Sequence, residues 1–432
     1  MLVLLPHQLF KINLLPKDEN IILWEHPQYF TKYNFNKKKL ILHRASMKYY
    51  YDMLKKNGYK VQYIEYNKKL NITNYKMFDP IDKIKGALKL PNKYEIIESP
   101  NFILTKNDMI KFNDQRKSNK VIFNNFYLWA KNYKSIYPKL KSLDKMNRKK
   151  YTDKKIIPLP KITKIDQYYI DEAIKYINKH FPNNCGNTNN FSYPITRETA
   201  IKWLQHFIKY KFKYFGPYQD AVVKNNNYMY HSVLSSSINI GLINPNDIIK
   251  EINKVKSRIP LNSFEGYIRQ LFWREYQRYT YNFINFNKNY FGNNKKLNKH
   301  WYDGTTGIIP IDDMIKSGFD TGYIHHIGRL MYIGNFMNLS GIAPKEGFRW
   351  FMEFSIDSYE WVMHQNVLDM VFFVTGGTTM TRPYISSSNY ILNMSNYKKD
   401  NNWNVEWDNL YHKFIKKHKV KLYKFRYYFP SL

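Results

Sequence analysis

The first hundred residues alternate between two hydrophobic periods, and that alternation restricts the chain more than any other feature. Short apolar runs at 2–5, 21–24, 60–66 and 94–98 have the length and residue types of strands. Between them, 38–57 and 77–90 carry apolar residues at helical spacing. The first closes at Gly58, a residue suited to end a helix, and the second stops before Pro91. Strands separated by helices cannot pair as hairpins, so they line up in parallel with the helices on their faces. The expectation is a doubly wound parallel-sheet α/β domain over 1–112. Ligands of such a sheet sit at the carboxyl ends of its strands. His7-Gln8 and Glu25-His26 follow the first two strands; they either line an antenna-chromophore site or are ordinary loop residues.

Residues 113–163 lack a clean period. Lys145, Arg148, Lys149, Lys150, Lys154 and Lys155 form a basic run, and Pro158 and Pro160 stiffen the chain just beyond it. This is read as an interdomain linker, either solvated or touching DNA. From 164 to 432 helical spacing dominates, at 171–181, 196–215, 248–256, 263–283, 314–340, 345–363 and 409–419. An all-helical second domain is expected over 164–432.

Charge and cysteine usage narrow the partners. The formal net charge of +34 favours a polyanion, nucleic acid above all. The same charge also follows from an AT-rich coding bias, since Lys, Asn, Ile and Tyr are all abundant. The single cysteine, Cys185, rules out an intramolecular disulfide framework and a Cys-ligated cluster, and suits a reducing compartment. No run approaches 18 apolar residues, so no membrane span is expected. The N-terminal apolar run before Pro6 is too short for a signal peptide.

No G-x-G-x-x-G, P-loop, H-E-x-x-H or C-x-x-C occurs. A bound dinucleotide would therefore be held by hydroxyls, backbone and arginines on helices. The run His231-Ser232-Val233-Leu234-Ser235 offers hydroxyls, although serines in such runs also cap helices. The stretch 323–390 concentrates the rest. It holds His325, His326 and, one turn on, Arg329, then Trp350, Phe354, Asp357 and Trp361 at helical spacing, then Thr375-Gly376-Gly377. A carboxylate on an aromatic stripe must find a cation or be buried at great cost.

The segments YIHHIGRLMYIGNF, FRWFMEFSIDSYEWVMHQNVLDM and RPYISSSNYILNMS resemble the photolyase/cryptochrome flavoproteins, most of all the bacterial iron–sulfur branch, whose characterised members include (6-4) photolyases. The resemblance implies FAD as cofactor. On it, Ser232, Leu234 and Ser235 stand in the T-S-x-L-S element that grips the FAD pyrophosphate and ribityl chain, with His231 replacing the usual Thr. The long pattern I-R-Q-x-x-W-R-E-Y brings Gln270 and Arg274 to the flavin, and Trp273 to the lesion pocket. Arg329 and Asp357 match the ion pair over the flavin, and Asn366 the loop at its edge. Met363 stands where the branch carries a glutamate. His326 matches the proton donor to the lesion, and Leu330 the place of a second histidine in animal enzymes. Trp301, Trp350 and Tyr359 resemble an electron-transfer chain to FAD; core packing is the plainer reading of each ring. Asp144, Asn147 and Arg148 resemble a D-x-x-N-R element. Pro310 and Lys398 occupy cluster-cysteine positions, so no iron–sulfur cluster is expected, and Trp403 and Trp407 would pack in its stead.

What the resemblance implies is a monomeric FAD photolyase acting on UV-damaged DNA, (6-4) photoproducts foremost. An antenna chromophore, lumazine or another, stays open. The rivals are a cryptochrome-like light sensor and a flavin-free DNA-binding descendant. The expected place is intracellular, in cytoplasm or nucleus, and a viral gene stays open.

Overall fold

The computed structural model describes residues 1–83, 93–143, 146–151, 157–429 and 432. The sequence readings at Asp144, Lys145, Lys154 and Lys155, and the 77–90 helix beyond residue 83, lie outside the described residues.

Five strands form one parallel sheet: β1 Leu2–Leu4, β2 Ile21–Trp24, β3 Val61–Ile64, β4 Asn74–Phe78 and β5 Lys93–Ile97. Their order is β3-β2-β1-β4-β5, the doubly wound arrangement expected. Every residue of β1 and β2 is buried, as continuous apolar runs covered on both faces should be. One expectation fails here. Met77 and Phe78 belong to β4, not to a helix. Tyr75 and Met77 are buried while Asn74 is exposed, a two-residue period too short to stand out beside Phe78 and Ile81.

The strand order reverses at β1, so a crevice is expected between the carboxyl ends of β1 and β4. Side chains close it. Gln8 Nε2 donates to the Phe78 carbonyl at 2.7 Å, and His7 Nε2 meets the Pro80 carbonyl at 3.0 Å. The helix Lys37–Lys56 starts at Asn36, whose side chain accepts from the Lys38 amide at 2.9 Å. It packs against the helix Lys164–His180, which begins in a Thr163/Asp166 capping box. Between the two, the guanidinium of Arg44 reaches Glu25 at 2.9 Å and Glu172 at 2.7 Å.

The segment between the sheet and the helical half is not featureless. It contains the helix Phe123–Tyr133, whose Phe126 and Tyr127 rings lie 5.4 Å from Tyr276 and 5.5 Å from Phe272. Polar Asn and Lys between those aromatics obscured the period. Helices follow to the end of the chain, the longest being Leu261–Phe283.

Two helices read as continuous are broken, and both breaks serve the site. The 314–340 stretch divides into Ile309–Thr321 and a π-helical run Gly328–Gly334 that continues as Asn335–Leu339. Gly322, at φ 70°, ends the first in a left-handed turn. The 345–363 stretch divides into Pro344–Phe354 and Glu360–Met363, the latter running into the π-helical His364–Val371. Asp357 therefore lies in a turn and not on the helical stripe. Ser358 explains the break: its Oγ bonds the carbonyls of Met352 at 2.9 Å and Ser355 at 2.8 Å, in place of the next helical turn. The terminal helices run Trp403–Lys417 and Lys419–Leu422, wider than the expected 409–419. Trp407 anchors them, stacked on Phe336 at 5.3 Å, with its Nε1 donating to the Ser386 carbonyl at 3.0 Å.

Candidate functional site

A cavity of about 840 Å³ opens in the helical half. Gln270 and Trp273 enter it from the Leu261–Phe283 helix, His326, Arg329 and Leu330 from the segment ahead of and within the first π-helical run, Met363 from the end of the Glu360–Met363 helix and Asn366 from the second π-helical run. Insertions of the π type occur often at binding sites because the extra residue turns side chains inward. Trp273 is fixed by its Nε1, which donates to Asn366 Oδ1 at 2.9 Å. Arg148, Arg269 and Arg382 add positive charge to the lining.

Behind Arg329 sits Asp357. The guanidinium meets the carboxylate in a fork, NH1 to Oδ1 at 2.9 Å and NH2 to Oδ2 at 3.3 Å. Ser235 Oγ donates to Oδ2 at 2.5 Å, and Ser355 Oγ donates to Oδ1. Burial pushes the carboxyl up, but Arg329 and the two hydroxyls outweigh it and hold Asp357 below its ordinary value. The turn is fixed from both sides. Lys39 Nζ reaches Ser358 from the α/β half, and Asn239 Nδ2 donates to the Asp357 carbonyl at 3.0 Å.

Arg274 acts one step removed. It is buried and absent from the cavity lining. Its Nε donates to Asn239 Oδ1 at 3.2 Å and its NH1 to the Asn101 carbonyl at 2.7 Å, while Glu275 receives the Ile103 and Leu104 amides. Arg274 thus ties the Asp357 turn to the α/β half through Asn239. Ser232 and Leu234 are likewise outside the lining, with Ser235 joined to the site through Asp357.

Two of the three aromatic residues touch, and the third packs elsewhere. Trp350 Nε1 donates to the Trp301 carbonyl at 2.7 Å, so those two residues touch. Tyr359 lies apart, with His7 at 5.4 Å and its hydroxyl 2.8 Å from His43 Nε2. Among the described ring contacts none joins Trp350 to Tyr359; Trp350 meets Phe354 at 4.6 Å, and Phe354 lies 5.4 Å from the Arg329 guanidinium.

Against known proteins, residues 2–193 match the family model described as deoxyribodipyrimidine photo-lyase-related protein. The (6-4) photolyase of Agrobacterium fabrum is 38% identical over 234 residues, which cover 52% of this chain and 46% of that protein. An uncharacterized protein of Acanthamoeba polyphaga mimivirus is 60% identical over 85 residues, 20% of this chain and 69% of that protein. By these matches the chain is a photolyase-related protein. Its fold agrees: a cryptochrome of Synechocystis sp. PCC6803 superposes with a TM-score of 0.59 at 15% identity, over 93% of this chain and 83% of that one. The match to the (6-4) photolyase thus spans about half the length of either protein. No helix among the described residues is long and apolar enough to cross a membrane.

Several residues that shape this family's site here escaped the sequence reading. Asp220 places Oδ1 3.3 Å from His326 Nε2. Asp369, fully buried, takes the Thr375 amide and hydroxyl at 2.8 Å each and so pins the Thr375-Gly376-Gly377 loop. Gly376 there has φ 70°, and a Cβ would fall 2.5 Å from the Tyr290 ring. Asn239 and Ser355 carry no sequence signal of their own. The Ser355 position, two residues before Asp357, is the only hint of a carboxylate bound by its own turn.

Proposed function

We propose that the protein is an FAD-dependent photolyase that repairs ultraviolet-damaged DNA under blue light, with (6-4) photoproducts as the favoured lesion. The observation that carries this reading is the forked Arg329–Asp357 pair set behind a cofactor-sized cavity in a chain of this family. The cavity volume of about 840 Å³ lies in the range of ligand pockets. The lining fits the cofactor in a second respect: Gln270, Arg329 and Asn366 offer polar groups beside the apolar faces of Trp273, Leu330 and Met363. Bound in the cavity, FAD would supply light absorption and the transfer of single electrons.

The chain's own residues do the remainder. Arg329 and Asp357 make a charge-balanced wall that holds its geometry without drawing in water. Trp273, locked by Asn366, gives a flat apolar face for a base turned out of the duplex. Flipping costs a few kcal/mol, least for a damaged and poorly paired base. His326 faces the cavity and is oriented by Asp220, so it can pass a proton to a lesion there. Leu330 and Met363 keep the neighbouring wall apolar. The charge of +34 supplies salt-dependent attraction to phosphates, and the protein acts as a monomer on DNA. An antenna chromophore, of lumazine type or another, is not required by this reading, since His7 and Gln8 fill the β1–β4 crevice.

The test is an absorption spectrum of the purified protein, followed by incubation with defined (6-4) and cyclobutane lesions in blue light and in darkness. Flavin absorbance with light-dependent repair of the (6-4) lesion is expected. Flavin that photoreduces without repair of either lesion would mean a light sensor. Colourless protein that still binds DNA would mean a flavin-free descendant.

A further inference from the structure

Three histidines converge at the edge of the cavity. His231 and His325 stack with ring centroids 4.9 Å apart and 16° between their planes. His326 lies edge-on to both, at 5.4 Å and 6.1 Å. One ring nitrogen of each lies within 4.8 Å of the other two. His231 and His325 are only 7% and 3% exposed, and His231 Nε2 and His325 Nδ1 meet no hydrogen-bond partner. A buried polar atom left unpaired costs about 1–3 kcal/mol. One ion bound beside the stacked rings would satisfy both. Neutral imidazole is the form that ligates metals.

We infer that His231, His325 and His326 bind one divalent transition-metal ion of borderline softness, zinc foremost, at a site that opens on the cavity through His326. Three imidazoles and one open position are a common zinc arrangement. Zn–N bonds of about 2.0–2.1 Å place tetrahedral ligand atoms roughly 3.4 Å apart. The present spacing of up to 4.8 Å closes by rotation of His326, whose side chain is 42% exposed, together with a turn of one stacked ring, because lone pairs in the planes of rings 16° apart do not yet converge on one point. Asp220 supplies the usual supporting carboxylate. With Oδ1 3.3 Å from His326 Nε2, it engages one ring nitrogen and leaves Nδ1 for the ion. Magnesium is excluded by chemistry, because it requires oxygen ligands.

The consequence for repair rests on the photolyase reading. A metal on His326 takes the lone pair that would otherwise carry the proton to the lesion. Zinc therefore suppresses repair reversibly, and a chelator restores it.

The test is calorimetric titration of zinc chloride into tag-free, full-length, chelator-treated protein, without DNA or light. One ion per chain is expected, no heat with magnesium, and at least tenfold weaker zinc binding in His325→Gln and in His326→Gln. Absence of stoichiometric binding, or affinity unchanged in both variants, overturns the site. Circular dichroism checks folding, and His326→Gln, at the exposed position, keeps the test open if His325→Gln does not fold. A repair assay with and without zinc is read separately. Zinc bound to a protein that never repairs a lesion counts against the photolyase reading and leaves the metal site standing. Repair with no zinc bound removes the site alone.

Discussion

Two buried polar centres lie a few residues apart in sequence and are built on opposite principles. Around Asp357, each carboxylate oxygen has an arginine and a serine partner, and the centre stands behind a cavity. Around Tyr359, at the junction with the sheet, polar groups are packed with few partners. His7 Nδ1, His26 Nε2 and the Tyr29 hydroxyl meet none. His7 and Tyr29 rings lie 4.6 Å apart, and His7 and Tyr359 5.4 Å. The first centre retains charge because it is fully paired. In the second the imidazoles are neutral, burial having lowered His7 and His26 to about 3. Paired charge suits a wall that must hold shape beside a ligand, and neutral packing suits a joint that must exclude water.

This contrast can be broken by experiment. Asp357→Ala leaves the half-buried Arg329 without its carboxylate partner, and the expected loss of stability is about 3 kcal/mol, the low end for a buried pair. Urea unfolding measures it, and the purified variant should lack flavin absorbance. A variant as stable as the parent and still yellow would show that the pair holds neither fold nor cofactor.

The neutral centre should respond to acid instead. His7 and His26 are unprotonated when folded down to a pH of about 3, whereas in the unfolded chain they take up protons below about 6.5. The unfolded state then binds more protons, so stability falls as pH drops through that window. At about 1.4 kcal/mol per pH unit for each ring, the two together contribute about 3 kcal/mol of loss between pH 7.5 and 5.5. Denaturation midpoints of the parent and of His7→Asn at the two pH values read one ring's share. The variant should lose about 1.4 kcal/mol less than the parent over this interval, and an equal loss would take the acid sensitivity from His7.

Ser235→Ala removes one charged hydrogen bond but leaves the fork, so about 2 kcal/mol is expected. The same unfolding assay checks it, together with weaker flavin retention on gel filtration. The smallest effect on the fold is expected from His326→Ala. Its side chain is 42% exposed, and stability should change by less than about 0.5 kcal/mol while (6-4) repair disappears. Undiminished repair would take the proton-donor role from His326.

The α/β half was largely legible because its signals are local. A buried strand such as β2 shows as four consecutive apolar residues, and a helix end such as Gly58 as a glycine at φ 81°. The chemistry-bearing pair Arg329 and Asp357 was also legible, through motif resemblance. The breaks that place them were not. The 345–363 stretch keeps helical spacing across the turn at Asp357, so periodicity alone continues the helix. Its interruption depends on Ser358 bonding two carbonyls behind it and on Lys39 and Asn239 arriving from distant parts of the chain. Tyr359 shows a similar limit: its residue type does not tell that it packs against His7 and bonds His43.

Sequence alone determined a parallel sheet followed by helices, a strongly basic net charge, the identity of the paired acid and base, and the absence of cysteines at the cluster positions. Each of these is carried by residue type or by local period. Tertiary structure decided which groups meet: Ser235 and Ser355 on Asp357, Asp220 on His326, and His231 stacked on His325. These contacts join residues up to 122 positions apart. Their geometry comes from how helices pack and where they break, and neither is written in any short stretch of the chain.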